Sequence, residues 1–181
     1  MTDTWNTFAR KDPIAVAAVA VAVVGAATIL GAWFFQYGLG YRPCPLCLEQ
    51  RYPYYFGIPL ALLLALGTTV GSSRKVLLAG LFVIAVGMLW NAGLATYHAG
   101  IEWKWWAGPQ ECSGSFDPTS GNLLEELNRM RVVRCDEAAW RFLGLSLAGY
   151  NALISLALAG VAAWGFWAGY RQPVRNKRDF D

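Results

Sequence analysis

The chain has 181 residues, of which 56% are hydrophobic and only 15% charged, with a net charge of +3 and a mean hydropathy of +0.34. A soluble domain carries about a quarter charged residues, so this composition excludes an ordinary water-soluble fold. It points to a protein built largely from membrane spans.

Four stretches reach the ~20 consecutive, mostly apolar residues that a transmembrane helix requires. They cover residues 14–37, 52–70, 76–97 and 142–170, and none contains Asp, Glu, Lys or Arg. The first follows Arg10 and Lys11 and has several Ala-x-Ala triplets, as a secretory signal would. Its apolar run exceeds a signal core and three more spans follow, so it reads as a retained helix. Residues 38–51 then carry "PCPLCLEQR", with Cys44 and Cys47 just before the second span. The turn "GTTVGSSRK" is short enough to make spans two and three an antiparallel hairpin.

The longer connection, residues 98–141, holds Cys112 and Cys135. Within it "NLLEELNRM" offers Asn122 as an N-cap with Glu125 three residues on, and Leu123, Leu124, Leu127 and Met130 on one face. A short helix lying on the membrane surface fits this pattern, as does an ordinary amphipathic loop helix. The expected fold is an all-α membrane protein: a four-helix transmembrane bundle with a short interfacial helix, one domain over residues 1–181. Small residues recur at four-residue spacing in Ala18, Ala22 and Ala26 and in Gly144, Ala148 and Ala152. Such stripes let helix backbones approach, although Ala and Gly are common in membrane helices anyway. Tyr and Trp gather near the span ends, where amphipathic rings favour the headgroup zone.

Orientation follows from Lys and Arg placement. The N-terminal segment, the turn at Arg74 and Lys75 and the C-terminal tail hold eight basic and four acidic residues. The two segments on the other side hold seven basic and eight acidic. Both termini are therefore expected in the cytoplasm and all four cysteines outside, which in a bacterium is the oxidising periplasm. Polar residues within the spans, Asn91 and Asn151 among them, are neutral, which argues against a transporter.

Three kinds of chemistry compete for the cysteines. Structural zinc usually takes two close-spaced knuckles, but Cys112 and Cys135 are far apart and the single histidine, His98, stands alone; no metal is expected. Static disulfides suit an even cysteine count, yet a C-x2-C bridge closes so small a loop that it restrains the unfolded chain little. Redox exchange needs a thiolate and an accessible disulfide. Cys44 and Cys47 at the N-terminal edge of a helix, with Arg51 one turn further on, favour a thiolate. Two cysteine pairs on one side of the membrane make a relay. Its economical electron acceptor at a bilayer boundary is a lipid-dissolved quinone. Arg51 is then a quinone-anion partner or a headgroup anchor. His98 is a donor to a quinone carbonyl or a bystander.

These residues resemble a known family, the bacterial disulfide bond formation protein B family of quinone-linked inner-membrane oxidases. The likeness rests on four spans, "CPLCLEQR", a second cysteine pair in a long second outer loop, and "CDEAAWRFLGLSL" leading into the last span. It implies that a soluble, DsbA-like thioredoxin-fold periplasmic oxidase attacks Cys112, whose resting disulfide partner is Cys135. Electrons pass to Cys44 and Cys47 through a transient Cys44–Cys112 bridge, and Cys47, nearer Arg51, contacts the quinone. Arg51 and His98 are the expected quinone-binding residues, and the partners are this oxidase, the lipid and the quinone pool, with no nucleic acid. Ubiquinone is preferred to menaquinone, although no residue hallmark separates them. The stretch "AGIEWKWWAGPQECSG" is unusually aromatic for the family and leaves the soluble partner open. Among rivals, the vitamin K epoxide reductase fold places its C-x2-C late in the chain, not at the second span.

Overall fold

A computed structural model describes residues 12–108 and 135–172. The expected interfacial helix near Asn122 and the residue Cys112 lie outside the described residues. Helix α1, Pro13–Trp33, starts with Pro at its first position, where no intrahelical N–H is needed. The Asp12 carboxylate caps it by accepting from the N–H groups of Ile14 and Ala15 at 3.1 and 3.4 Å. The helix passes into a π-helical turn, Phe34–Gly38, a distortion often found beside functional sites.

The short helix α2, Pro45–Glu49, carries Cys47, and Cys44 is its N-cap. The sequence put both thiols at the N-terminal edge of the second span. The structure instead gives them a separate helix that starts at Pro45, because proline at the first helical position costs nothing. Helix α3 follows as Tyr52–Thr69. Gly71, at φ +75°, turns the chain into α4, Arg74–Glu102. This helix runs past the expected end at residue 97, so His98 belongs to the helix and not to the loop.

The expected span 142–170 begins later. Arg141–Phe142 (β1) pairs antiparallel with Leu145–Ser146 (β2). Leu143 and Gly144 between them have φ of 49° and 83°, the left-handed pair a two-residue hairpin turn demands. Gly144 is therefore a turn residue and not part of a helical stripe. Ser146 then caps α5, Leu147–Arg171, by accepting from the Gly149 N–H at 3.2 Å.

Three segments are long and apolar enough to cross a membrane: Pro13–Gly38, Arg74–Glu102 and Leu147–Arg171. Helix α3, 18 residues long with Tyr52, Pro53, Tyr54 and Tyr55 opening it, is not among them. The most extensive interface joins α4 to α5, and α1 packs on α3 and α5. The seam is made of small and branched residues, with Ala17, Ala18, Val21, Ala61, Leu81 and Ala162 fully buried. Ala18, Ala22 and Ala148 of the small-residue faces are buried, and α5 passes close to α1 at Gly165, against Ala17. Large apolar side chains such as Leu30, Leu63, Trp90 and Leu156 point outward, whereas Asn91, Ser155, His98 and Tyr54 point in. A polar interior under an apolar exterior is what lipid as solvent requires.

Candidate functional site

The site lies at one end of the bundle, where α2 folds against the last turns of α4. Cys44, Leu46, Ile101 and Cys135 form a buried cluster separate from the bundle core, with Cys47 and Leu94 packed on it. Sequence separation gave no hint that Cys135 lies against the C-x2-C. Cys44 and Cys47 are free thiols, and Cys135 is in a disulfide.

Electrostatics divide the first pair. Cys47 is held below the ordinary thiol range, chiefly by the hydrogen bond from the Cys44 thiol and further by the Arg51 charge, against the cost of burial. Cys44 is pushed far up, by donating that hydrogen bond to Cys47 and by its own burial. The Cys47 N–H donates to the Cys44 sulfur at 3.2 Å, as the cap geometry of α2 dictates. Negative charge on the pair is thus favoured on Cys47, the half-buried member.

His98 stands opposite, its Nε2 3.6 Å from the Cys44 sulfur and 3.9 Å from Glu102 Oε1. The ring is also the donor in a hydrogen bond to the backbone of Cys135. Its other nitrogen, Nδ1, meets the Gln50 side-chain amide at 2.8 Å. Cys44, Cys47 and His98 place their sulfur and nitrogen atoms within 4.8 Å of one another. The sequence could not foresee this grouping, because His98 is distant along the chain. Glu102, almost fully buried beside them, keeps one carboxylate oxygen without a hydrogen-bond partner.

A cavity of about 290 Å³ opens onto these groups. Ala27, Ile29, Ala32, Phe35 and Ile154 supply apolar wall, and Cys44, Cys47, Arg51 and His98 line its chemical end. Arg51 donates through Nη1 to Gln36 Oε1 at 2.6 Å; Gln36 belongs to the π-helical turn, which turns it toward the cavity. Among the described residues no carboxylate pairs with Arg51, so its remaining donors are available. Of the residues singled out from sequence, Cys44, Cys47, Cys135, Arg51 and His98 converge here. Gln36, Gln50, Tyr54 and Glu102 also line the cavity and were missed. For Gln36 and Tyr54 the available signal was a polar group inside an otherwise apolar span; Gln50 and Glu102 fall outside the expected spans and carried none.

The family model "Disulfide bond formation protein DsbB" matches residues 15–165. A disulfide bond formation protein B of Xanthomonas campestris is 31% identical over 148 residues, covering 77% of this chain and 81% of the relative. One from a Psychrobacter strain is 31% identical over 144 residues, covering 74% and 80%. An uncharacterized protein of Rickettsia prowazekii, RP370, is 25% identical over 155 residues, covering 83% and 87%. No solved structure gives a significant match.

Proposed function

The chain belongs to the DsbB family of disulfide bond formation proteins, a multi-pass membrane protein, and from that footing we propose that it oxidises a soluble periplasmic dithiol and passes the electrons to quinone. The observation that carries this reading is the buried cluster joining Cys135 to the C-x2-C at the mouth of an apolar cavity. The reading keeps four spans, with α3 as the second, the bacterial inner membrane as location, both termini in the cytoplasm and the cysteines in the periplasm.

Following the family resemblance, Cys112 is taken as the disulfide partner of Cys135. A DsbA-like thioredoxin-fold dithiol attacks Cys112, breaks that bond and leaves oxidised, with its two electrons now on the thiols of Cys112 and Cys135. Exchange with an oxidised Cys44–Cys47 bridge, through a transient Cys44–Cys112 bond, restores the second disulfide and leaves Cys44 and Cys47 as thiols. Re-forming their S–S bond releases two electrons and two protons. A quinone supplies a two-electron, two-proton acceptor that dissolves in lipid and leaves as quinol.

The residues present fit such an acceptor. The cavity wall is mainly apolar, suiting a flat ring, and its lining includes the polar groups of Cys47, Arg51 and His98. There the Arg51 guanidinium has donors to spare for an oxygen that gains negative charge. Cys47, the more ionised thiol, is the nucleophile turned to the cavity, and burial of Cys44 shields the second sulfur from water.

The test is quinone reduction by the purified protein, driven by a reduced thioredoxin-fold oxidase. Stoichiometric quinol and reoxidised dithiol are expected. Dithiol oxidation that proceeds equally well without quinone under anaerobic conditions overturns the acceptor assignment. Labelling of Cys47 in intact reduced cells by a membrane-impermeant maleimide checks the orientation.

A further inference from the structure

His98 is held from behind by a chain of hydrogen bonds that crosses the bundle. Asn91 Nδ2 on α4 donates to Ser155 Oγ on α5 at 2.9 Å. The Tyr54 hydroxyl on α3 lies 3.0 Å from that same Ser155 oxygen and donates to Asn151 Oδ1 at 2.7 Å. Asn151 Nδ2 donates to Gln50 Oε1 at 2.7 Å. The Gln50 amide nitrogen then faces His98 Nδ1 at 2.8 Å. Gln50, Asn91, Ser155 and His98 are all buried, so a mismatched link among them carries the cost of an unsatisfied buried polar group.

The polarity of this chain is set at the histidine end. A neutral imidazole carries one proton, so one nitrogen donates and the other accepts. The ring donates to the Cys135 backbone, and with Nδ1 engaged by Gln50 the nitrogen left for that bond is Nε2. Nδ1 must then accept. Only the NH2 group of Gln50 can serve it, which turns Gln50 Oε1 to Asn151 Nδ2 and Asn151 Oδ1 to the tyrosine hydroxyl. Each link has one donor and one acceptor, and reversing any one of them sets donor against donor or acceptor against acceptor.

We propose that Gln50, oriented by Asn151, is a positioning residue that fixes His98 as the Nε2–H tautomer, so that the ring offers Cys44 and the Cys135 backbone a hydrogen-bond donor and not a base. Nε2 sits 3.6 Å from the Cys44 sulfur, where a donor favours negative charge during exchange between the two cysteine pairs. A base at the same place would instead take the thiol proton. The same tautomer withholds from Nε2 the lone pair a cation would need, although two thiols lie within reach. This deepens the redox reading and rests on it for its purpose, but the proton's location is a property of the resting protein and is measured without turnover.

The chain has a single histidine, so ¹⁵N-histidine labelling reports on His98 with no assignment problem. Long-range ¹H–¹⁵N correlation spectra of the detergent-solubilised, reduced protein identify which ring nitrogen is protonated. The wild type is expected to show protonated Nε2 and bare Nδ1. Gln50→Glu replaces the donor facing Nδ1 with an acceptor, so Nδ1 gains a proton. Asn151→Asp does the same at one remove: a carboxylate there accepts from the Gln50 NH2, turning Gln50 Oε1 toward His98. Asn151→Asp touches neither the histidine nor a cysteine, and a merely structural role would not move the proton. Bare Nε2 in the wild type, or Nδ1 still bare in Asn151→Asp, overturns the proposal. A protein that passes this test yet fails to reduce quinone refutes the redox reading alone.

Discussion

Replacing Gly165 by alanine should separate α1 from α5. A Cβ at Gly165 would stand 2.3 Å from the Cβ of Ala17 and 3.3 Å from both Leu81 Cδ1 and the Pro13 carbonyl oxygen. Non-bonded carbons settle at about 3.5–4.0 Å, and neither Cβ can rotate away. The two backbones must therefore part by about 1.2–1.7 Å, taken from that spacing and the 2.3 Å approach. Overpacking of this kind costs about 1–3 kcal/mol. Gly160→Ala is the control, because nothing lies within 4 Å of the Cβ it adds on the same helix. It shares any gain in helix propensity, so the difference between the variants isolates the clash. For a chain of this size 1 kcal/mol corresponds to about 2–4 °C, and Gly165→Ala should melt roughly 2–12 °C below Gly160→Ala. Tryptophan fluorescence during thermal unfolding in detergent measures this. Adding Ala17→Gly to Gly165→Ala should recover most of the loss. Equal melting of the two alanine variants would refute the α1–α5 packing on which the site's geometry rests.

Other outcomes follow from the site. Arg51→Ala removes a charged donor worth about 1.5–3 kcal/mol, so the quinone KM should rise about 10- to 150-fold while exchange with the soluble dithiol at Cys112 is spared; an unchanged KM sinks the Arg51 role. Because Cys47 is depressed below the reference thiol value of 9.0, its alkylation by maleimide should already be fast below that pH. The rate should fall only as acid reprotonates the thiolate, and the profile should move upward more in Cys44→Ala than in Arg51→Ala, since the Cys44 hydrogen bond is the larger cause. Cys112→Ser should abolish electron entry from the soluble partner yet leave chemically reduced Cys44 and Cys47 able to reduce quinone, checked by single-turnover absorbance. Tyr54→Phe removes the shorter of two donors to the half-buried Asn151 oxygen and one partner of the buried Ser155 hydroxyl, costing about 1–3 kcal/mol and lowering the unfolding temperature.

Much of the fold could be read directly from the residues. Charge-free apolar runs located the helices because a bilayer tolerates few alternatives, and C-x2-C with arginine four residues on marked side chains that line the cavity. Boundaries were less legible. Residues 142–146 read as part of a span because hydropathy cannot distinguish helix from a tight hairpin. There the left-handed Leu143–Gly144 pair and the Ser146 cap decided the matter. Pro45 likewise begins a short helix separate from the second span, at whose edge the thiols were expected.

Sequence by itself determined the apolar character of the helices, three of them long enough to cross a membrane, and which side chains carry sulfur, imidazole or guanidinium groups, since these depend on the identity of residues close together along the chain. Which of those atoms meet was decided only by tertiary packing. Cys135 reaches the C-x2-C, Glu102 approaches His98, and Gln50 reaches His98 and Asn151, through contacts between helices far apart in sequence. The direction of each buried hydrogen bond also depends on what its neighbour offers. A histidine's tautomer is therefore a property of the assembled network and is written in no single residue.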